Sequence, residues 1–144
     1  MQRYIFNITF LLILTSTGIS EDDYTVSDIY TIENDTSYSL IIDHDKSNIE
    51  YMVKEIFDPP TVIIEIKNVI WDRGDFTRKS AHSPLYQFDV NTLRNHKKSN
   101  QNIRGIRIRM SFNSIPQYNV TESVADDDNS LIIQWRKNKN REED

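Results

Sequence analysis

The strand prediction is strongest for residues 61–71, which read Thr61-Val62-Ile63-Ile64-Glu65-Ile66-Lys67-Asn68-Val69-Ile70-Trp71. Successive side chains of a strand point to opposite faces, so Val62, Ile64 and Ile66 fall on one face, whereas Glu65 and Lys67 fall on the other. A Pro-Pro pair directly precedes the stretch, and neither proline can donate a backbone hydrogen bond. We therefore predict one strand over residues 61–71, with a break immediately before it.

Other strand patterns surround this one. The predicted strands cover residues 39–42, 49–56, 85–90, 103–112 and 131–135, with at most one edge strand near Tyr30 in the polar lead-in. The alternation is cleanest at 103–112, which is predicted to turn four apolar side chains inward (Ile106, Ile108, Met110, Phe112) and Arg107, Arg109 and Ser111 outward. Polar segments at 43–45, 72–84, 91–102 and 113–129 are predicted to be turns or loops.

Composition agrees with a β fold. The chain has 20 isoleucines but only two alanines, Ala81 and Ala125, so β-branched residues outnumber the best helix formers. Five or six short strands separated by long turns are typical of an antiparallel sandwich. The predicted fold class is all-β, a small antiparallel β-sandwich or jelly-roll-like domain with little helix.

Residues 50–66 resemble the early core of CUB domains. The resemblance lies in an aromatic strand around Tyr51, a proline turn at Asp58-Pro59-Pro60, and the alternating strand that follows. The strand at 106–112 also fits the pattern. The chain lacks the cysteines of that family and a clear acidic calcium-site pattern, so no family is assigned on this basis.

The N-terminal segment has the pattern of a secretory signal peptide. A short basic start at Arg3 precedes an apolar run over residues 4–14, and small residues at Gly18 and Ser20 fit a cleavage site. The apolar run is shorter than the roughly 20 residues that a membrane span needs. We predict a signal peptide at 1–20, one β domain at 21–135, and a charged, disordered tail at 136–144. The expected location is secreted and extracellular, with no membrane span.

Several classes of function are disfavoured by what the sequence lacks. There are no cysteines among the 144 residues, which excludes disulfides, thiol nucleophiles and zinc fingers. The net charge of −5 argues against nucleic-acid binding. The three histidines are well separated, the Asp43-His44-Asp45 cluster is read as a turn, and Asp126-Asp127-Asp128 lacks calcium-loop spacing. We therefore predict no enzyme, no catalytic residue, no metal and no cofactor.

The most specific motif is Arg73-Gly74-Asp75, which resembles the RGD adhesion motif of integrin ligands. In such ligands the arginine and the aspartate project from a tight exposed turn, and glycine allows the backbone angles that this turn needs. The aspartate completes a metal site on the integrin, and the arginine pairs with acidic residues there. The same three residues also suit an ordinary turn, so two interpretations remain open.

Two further features suggest surface sites. Asn34 and Asn119 begin N-glycosylation sequons, Asn34-Asp35-Thr36 and Asn119-Val120-Thr121. Basic residues cluster on the outward face of 103–112 and after the last strand. If these two strands are neighbours, Arg107, Arg109, Arg136 and Lys137 would form one cationic patch able to hold sulfated glycans.

These features favour binding over catalysis. We expect a secreted protein that engages a cell-surface receptor or an extracellular matrix component through the RGD turn. The alternative is a secreted carrier, or a glycan-binding or structural surface protein, in which the RGD sequence arises by chance.

Overall fold

The computed structural model describes residues 24–46, 49–93, 105–124 and 129–137. These residues form ten strands and no helix. The strands are β1 (Tyr24–Glu33), β2 (Ser37–His44), β3 (Tyr51–Phe57), β4 (Pro60–Lys67), β5 (Val69–Ile70), β6 (Phe76–Lys79), β7 (Leu85–Leu93), β8 (Gly105–Phe112), β9 (Tyr118–Val124) and β10 (Asn129–Arg136). No helix in this part of the chain has the length and hydrophobicity to cross a bilayer.

The strands make two five-stranded sheets that pack face to face. The first sheet has the order β5-β1-β2-β10-β9, and the second has the order β3-β4-β8-β7-β6. All pairs are antiparallel except β1 with β5, which is parallel. The predicted all-β class is confirmed, and the architecture is a small β-sandwich.

The core lies between the sheets and follows the predicted alternation. Val62, Ile64 and Ile66 of β4 are buried and pair with Met110, Ile108 and Ile106 of β8, which are buried on the same face. The first sheet contributes Leu40, Ile42, Leu131, Ile133 and Trp135. The Phe112 and Trp135 rings meet edge to face with centroids 5.7 Å apart, so they join the two layers near one end.

The strand predicted over residues 61–71 is in fact two strands in different sheets. β4 ends at Lys67, and Asn68 then takes a positive φ of 59°. Asparagine tolerates this left-handed conformation better than most residues, and it redirects the chain. Val69 and Ile70 consequently pair with Tyr24 and Thr25 of β1 in the other sheet. The single-strand prediction was wrong, because one residue's backbone angle decides which sheet the apolar run joins.

Three segments predicted as turns or loops also contain strands, and the strand allowed near Tyr30 in the lead-in lies between two others instead of at an edge. β1 covers ten residues of the polar lead-in, β2 runs through the predicted turn to His44, and β6 and β9 lie in predicted loops. β6 and β9 are edge strands, and their outward side chains are exposed and polar. β6 has only four residues, too few to show a period, whereas the alternation of half-buried and exposed residues in β9 was overlooked.

The predicted boundaries are only partly within the described residues. Arg136, predicted to begin the tail, is the last residue of β10. Several predicted features lie outside the described residues: the signal peptide, the tail from residue 138, the basic residue Arg104, His96, and Asp126-Asp127-Asp128.

Candidate functional site: the Arg73-Gly74-Asp75 turn

The Arg73-Gly74-Asp75 turn crosses from one sheet to the other at a side edge of the sandwich. It joins β5 of the first sheet to β6 of the second, and residues 72–75 are all exposed. Gly74 has φ of +70°, and a Cβ built there would meet no atom within 4 Å. The backbone therefore requires glycine for its conformation, while the space around the turn is open.

Aromatic side chains hold both ends of the turn. Trp71 Nε1 donates a hydrogen bond of 2.8 Å to the Gly74 carbonyl oxygen, which closes the turn on itself. The Trp71 ring lies 6.0 Å from the Phe76 ring, and Phe76 meets the buried Phe88 ring edge to face at 6.1 Å. The turn is exposed, but its base is anchored to the core.

The Arg73 guanidinium already has an acidic partner. Arg73 Nη1 lies 2.8 Å from Asp28 Oδ1 on β1, and the two side chains are 51% and 42% exposed. The guanidinium also lies 5.9 Å from the Trp71 ring centre. An exposed ion pair of this kind contributes only about 0–1 kcal/mol, so Arg73 can leave it at small cost.

The Asp75 carboxylate is shared between the fold and the solvent. Its Oδ1 accepts a hydrogen bond of 2.7 Å from the Thr92 backbone N–H, which ties the turn to β7. Within the described residues, Asp75 Oδ2 has no hydrogen-bond partner. One carboxylate oxygen thus fixes the side chain, and no described residue occupies the other.

The basic residues predicted to form one patch lie on opposite faces. β8 belongs to the second sheet and β10 to the first, so the pairing on which a single patch depended does not occur. Arg107 and Arg109 point outward from β8, and Arg107 is paired with Glu65 at 2.7 Å. Arg136 projects from the outer face of the first sheet, whereas Lys137 lies over the Tyr38 ring on the other side, with its Nζ 2.5 Å from Glu33 Oε1. The four residues therefore do not share one surface, and Arg107 and Lys137 are each paired with a carboxylate.

Both sequon asparagines are exposed at the same end of the first sheet. Asn34 lies in the turn between β1 and β2, and Asn119 lies on β9, where its register partner is Gln134. Thr36 of the first sequon and Asn119 of the second line one surface groove of about 700 Å³. Neither sequon is hindered by burial.

A cluster of buried polar groups was missed by the sequence analysis. His44 is 5% exposed, and no side chain of the described residues hydrogen-bonds its ring nitrogens; Tyr24 Oη and Asn129 Oδ1 beside it also lack a partner among these residues. Burial lowers the pKa of His44, against opposing effects of the Lys46 backbone and of Glu122, Asp45 and Asp43. The period-two series Leu40, Ile42, His44 places His44 on the core face and could have indicated its burial.

Metal binding has no support within the described ranges. No group of three His, Asp or Glu side chains there lies close enough to hold a metal ion. Comparison with known proteins gave no match to a family model, a curated protein or a solved structure.

Proposed function

We propose that this β-sandwich is a secreted binding protein that presents the Arg73-Gly74-Asp75 turn to an integrin-type receptor on a cell surface. The observation that carries the proposal is an exposed turn with an anchored base and one carboxylate oxygen to which no described residue donates a hydrogen bond. A rigid base lowers the entropy lost on binding, because the turn is already ordered.

The geometry specifies what binding would require. Asp75 Oδ1 keeps its hydrogen bond from the Thr92 N–H, and Oδ2 completes the coordination of a divalent cation held by the receptor. Arg73 exchanges Asp28 for an acidic group of the receptor. Since the existing ion pair is exposed, the exchange replaces one weak contact by another that receptor binding can bury.

The test is adhesion of integrin-bearing cells to the immobilised protein, with and without divalent cations. Asp75→Glu keeps the charge but moves the carboxylate by about 1.5 Å, one carbon–carbon bond. We expect this change to abolish cation-dependent adhesion. Asp72→Glu is the matched control, because Asp72 is exposed in the same turn and lies outside the motif.

Asp28→Asn tests the role of the arginine separately. Asparagine retains the Oδ1 acceptor that the Ile29 N–H uses, but it removes the charge that competes for Arg73. Adhesion should be unchanged or strengthened by up to about fivefold, the equivalent of about 1 kcal/mol. Adhesion that is absent, or equal for wild type and Asp75→Glu at equal stability, would reduce the motif to a structural turn.

Secretion and glycosylation belong to the same proposal. Both sequon asparagines are exposed, which is compatible with glycans at Asn34 and Asn119. Binding of sulfated glycans is the weaker alternative, because the basic residues are divided between two faces.

A further inference from the structure

The four outer strands of the two sheets differ in how they are protected against pairing with other chains. β5 has two residues, and β6 has four that include Arg78 and Lys79. β9 turns the exposed polar residues Asn119, Thr121 and Ser123 outward and carries a sequon. Short strands and polar or charged edges are the usual protection against unwanted strand addition. β3 is a seven-residue strand that, among the described strands, pairs only with β4.

β3 exposes apolar side chains along its length. Four large apolar residues of the strand are at least one-third exposed: Tyr51 (37%), Met52 (44%), Ile56 (38%) and Phe57 (77%). They account for four of the seven exposed large hydrophobic residues in the described parts of the chain. Clustered exposure of this kind, unlike scattered apolar residues, marks interaction sites.

The register of β3 with β4 shows which side chains face outward. Met52, Lys54 and Ile56 stand opposite Glu65, Ile63 and Thr61, which alternate with the core residues of β4. The outer row of β3 thus has a positively charged side chain between two apolar ones. On the other face, Val53 packs on the core and Glu55 Oε1 accepts a 2.7 Å hydrogen bond from Tyr118 Oη of β9. The inner side of the edge is thus held by Val53 and Glu55, whereas no described residue covers the backbone edge or the outer row.

Charge disfavours a second copy of the chain as the occupant. Two antiparallel copies of β3 related by a two-fold axis must place some residue opposite itself, because opposed residues share a face. Pairing over the whole of Tyr51–Phe57 places Lys54 opposite the Lys54 of the other copy, and like charges directly opposed are destabilising. If the two-fold axis instead passes at Glu55, the two Glu55 carboxylates stand opposite each other. If the axis passes at Val53, only residues 51–55 pair, and Ile56 and Phe57 lie outside the ladder.

We infer that the β3 edge binds an extended segment of a partner protein as an added antiparallel strand. The segment would carry an acidic residue opposite Lys54 and apolar residues two positions away on each side, against Met52 and Ile56. Main-chain hydrogen bonds would give the affinity, and this alternating row would give the specificity.

This surface is separate from the RGD turn. The Glu55–Tyr118 contact places β3 beside β9, whereas the turn joins β5 and β6 at the opposite edges of the two sheets. Both surfaces can therefore be occupied at once, and a change at Asp75 should not alter binding at β3.

The experiment uses protein secreted from cells expressing the full chain and a short blocked synthetic peptide. The peptide has a central glutamate, valine two positions away on each side and threonine elsewhere; its control has a central lysine. Fluorescence anisotropy of the labelled peptides measures the dissociation constants, and amide hydrogen exchange locates the bound peptide. We expect slowed exchange in Tyr51–Phe57 and a preference of about two- to fivefold for the glutamate peptide.

A charge reversal tests the assigned register. Lys54→Glu should reverse the preference between the two peptides, whereas Lys67→Glu, the same change at an exposed lysine of β4, should not. Urea unfolding would establish that both variants are folded. Unchanged exchange in β3 at saturating peptide, or no reversal with Lys54→Glu, would overturn the inference. A concentration-dependent dimer that Ile56→Lys disperses would also overturn it and would identify a second copy as the occupant.

Discussion

Acidification from pH 7 to pH 5.5 should weaken the fold through His44. The ring is 5% exposed, meets Tyr24 edge to face at 6.0 Å and has no side-chain hydrogen bond to any described residue. Burial disfavours the imidazolium, so the pKa of His44 in the folded protein lies below its ordinary value. Three nearby carboxylates favour the charged ring and oppose this shift without cancelling it: Glu122 on β9, Asp43 on β2 and Asp45 just after β2.

The sign of the effect follows from proton linkage. The unfolded chain takes up the proton near pH 6.5, whereas the folded chain resists it until a lower pH. The stabilisation is therefore complete above pH 6.5 and is lost as the pH falls toward the folded-state pKa. A single such group changes the unfolding free energy by at most about 1.4 kcal/mol per pH unit, or about 1.3 kcal/mol between pH 7 and 5.5.

Urea unfolding at several pH values measures this change. The expected shift of the urea midpoint between pH 7 and 5.5 is downward, and the upper limit of about 1.3 kcal/mol corresponds to roughly 0.4–1.3 M for ordinary denaturant slopes. His44→Phe keeps an aromatic ring against Tyr24 and should flatten the pH dependence in this window. His82→Gln is the control, because His82 packs on Tyr38 away from this cluster. An equal slope for wild type and His44→Phe would refute the reasoning.

Further predictions concern backbone, core and surface. Gly105→Ala should destabilise by about 1–3 kcal/mol in urea unfolding, because its Cβ would lie 2.9 Å from the Ile66 carbonyl oxygen. Gly74→Ala meets no atom and should cost about 1–2 kcal/mol through its positive φ alone; a loss clearly above about 2 kcal/mol would contradict this. Ile108→Ala, at a fully buried position of β8, should cost about 2–5 kcal/mol in the same assay. In a eukaryotic secretory host, Thr36→Ala and Thr121→Ala should each remove one glycan, seen as an endoglycosidase-sensitive mobility shift; an unchanged shift would show that the sequon is unused.

The sequence determined the fold class and the inward face of the main strands. The alternation of Ile106, Ile108, Met110 and Phe112 predicts their burial correctly, since side-chain direction in a strand repeats every two residues. It also predicts the exposed position of the Arg73-Gly74-Asp75 turn, because polar residues with glycine follow a strong strand. These properties depend on neighbours within a few residues along the chain.

Only the tertiary structure decided which strands are neighbours. Period-two alternation says which face a residue takes but carries no information on the sheet it joins. The positive φ of Asn68 thus moved Val69 and Ile70 into the other sheet, and the separation of β8 from β10 divided the basic residues that the sequence had grouped. The contacts that hold the turn, Arg73 with Asp28 and Asp75 with Thr92, join residues 45 and 17 positions apart. Such contacts depend on the packing of the two sheets, and a local pattern cannot specify them.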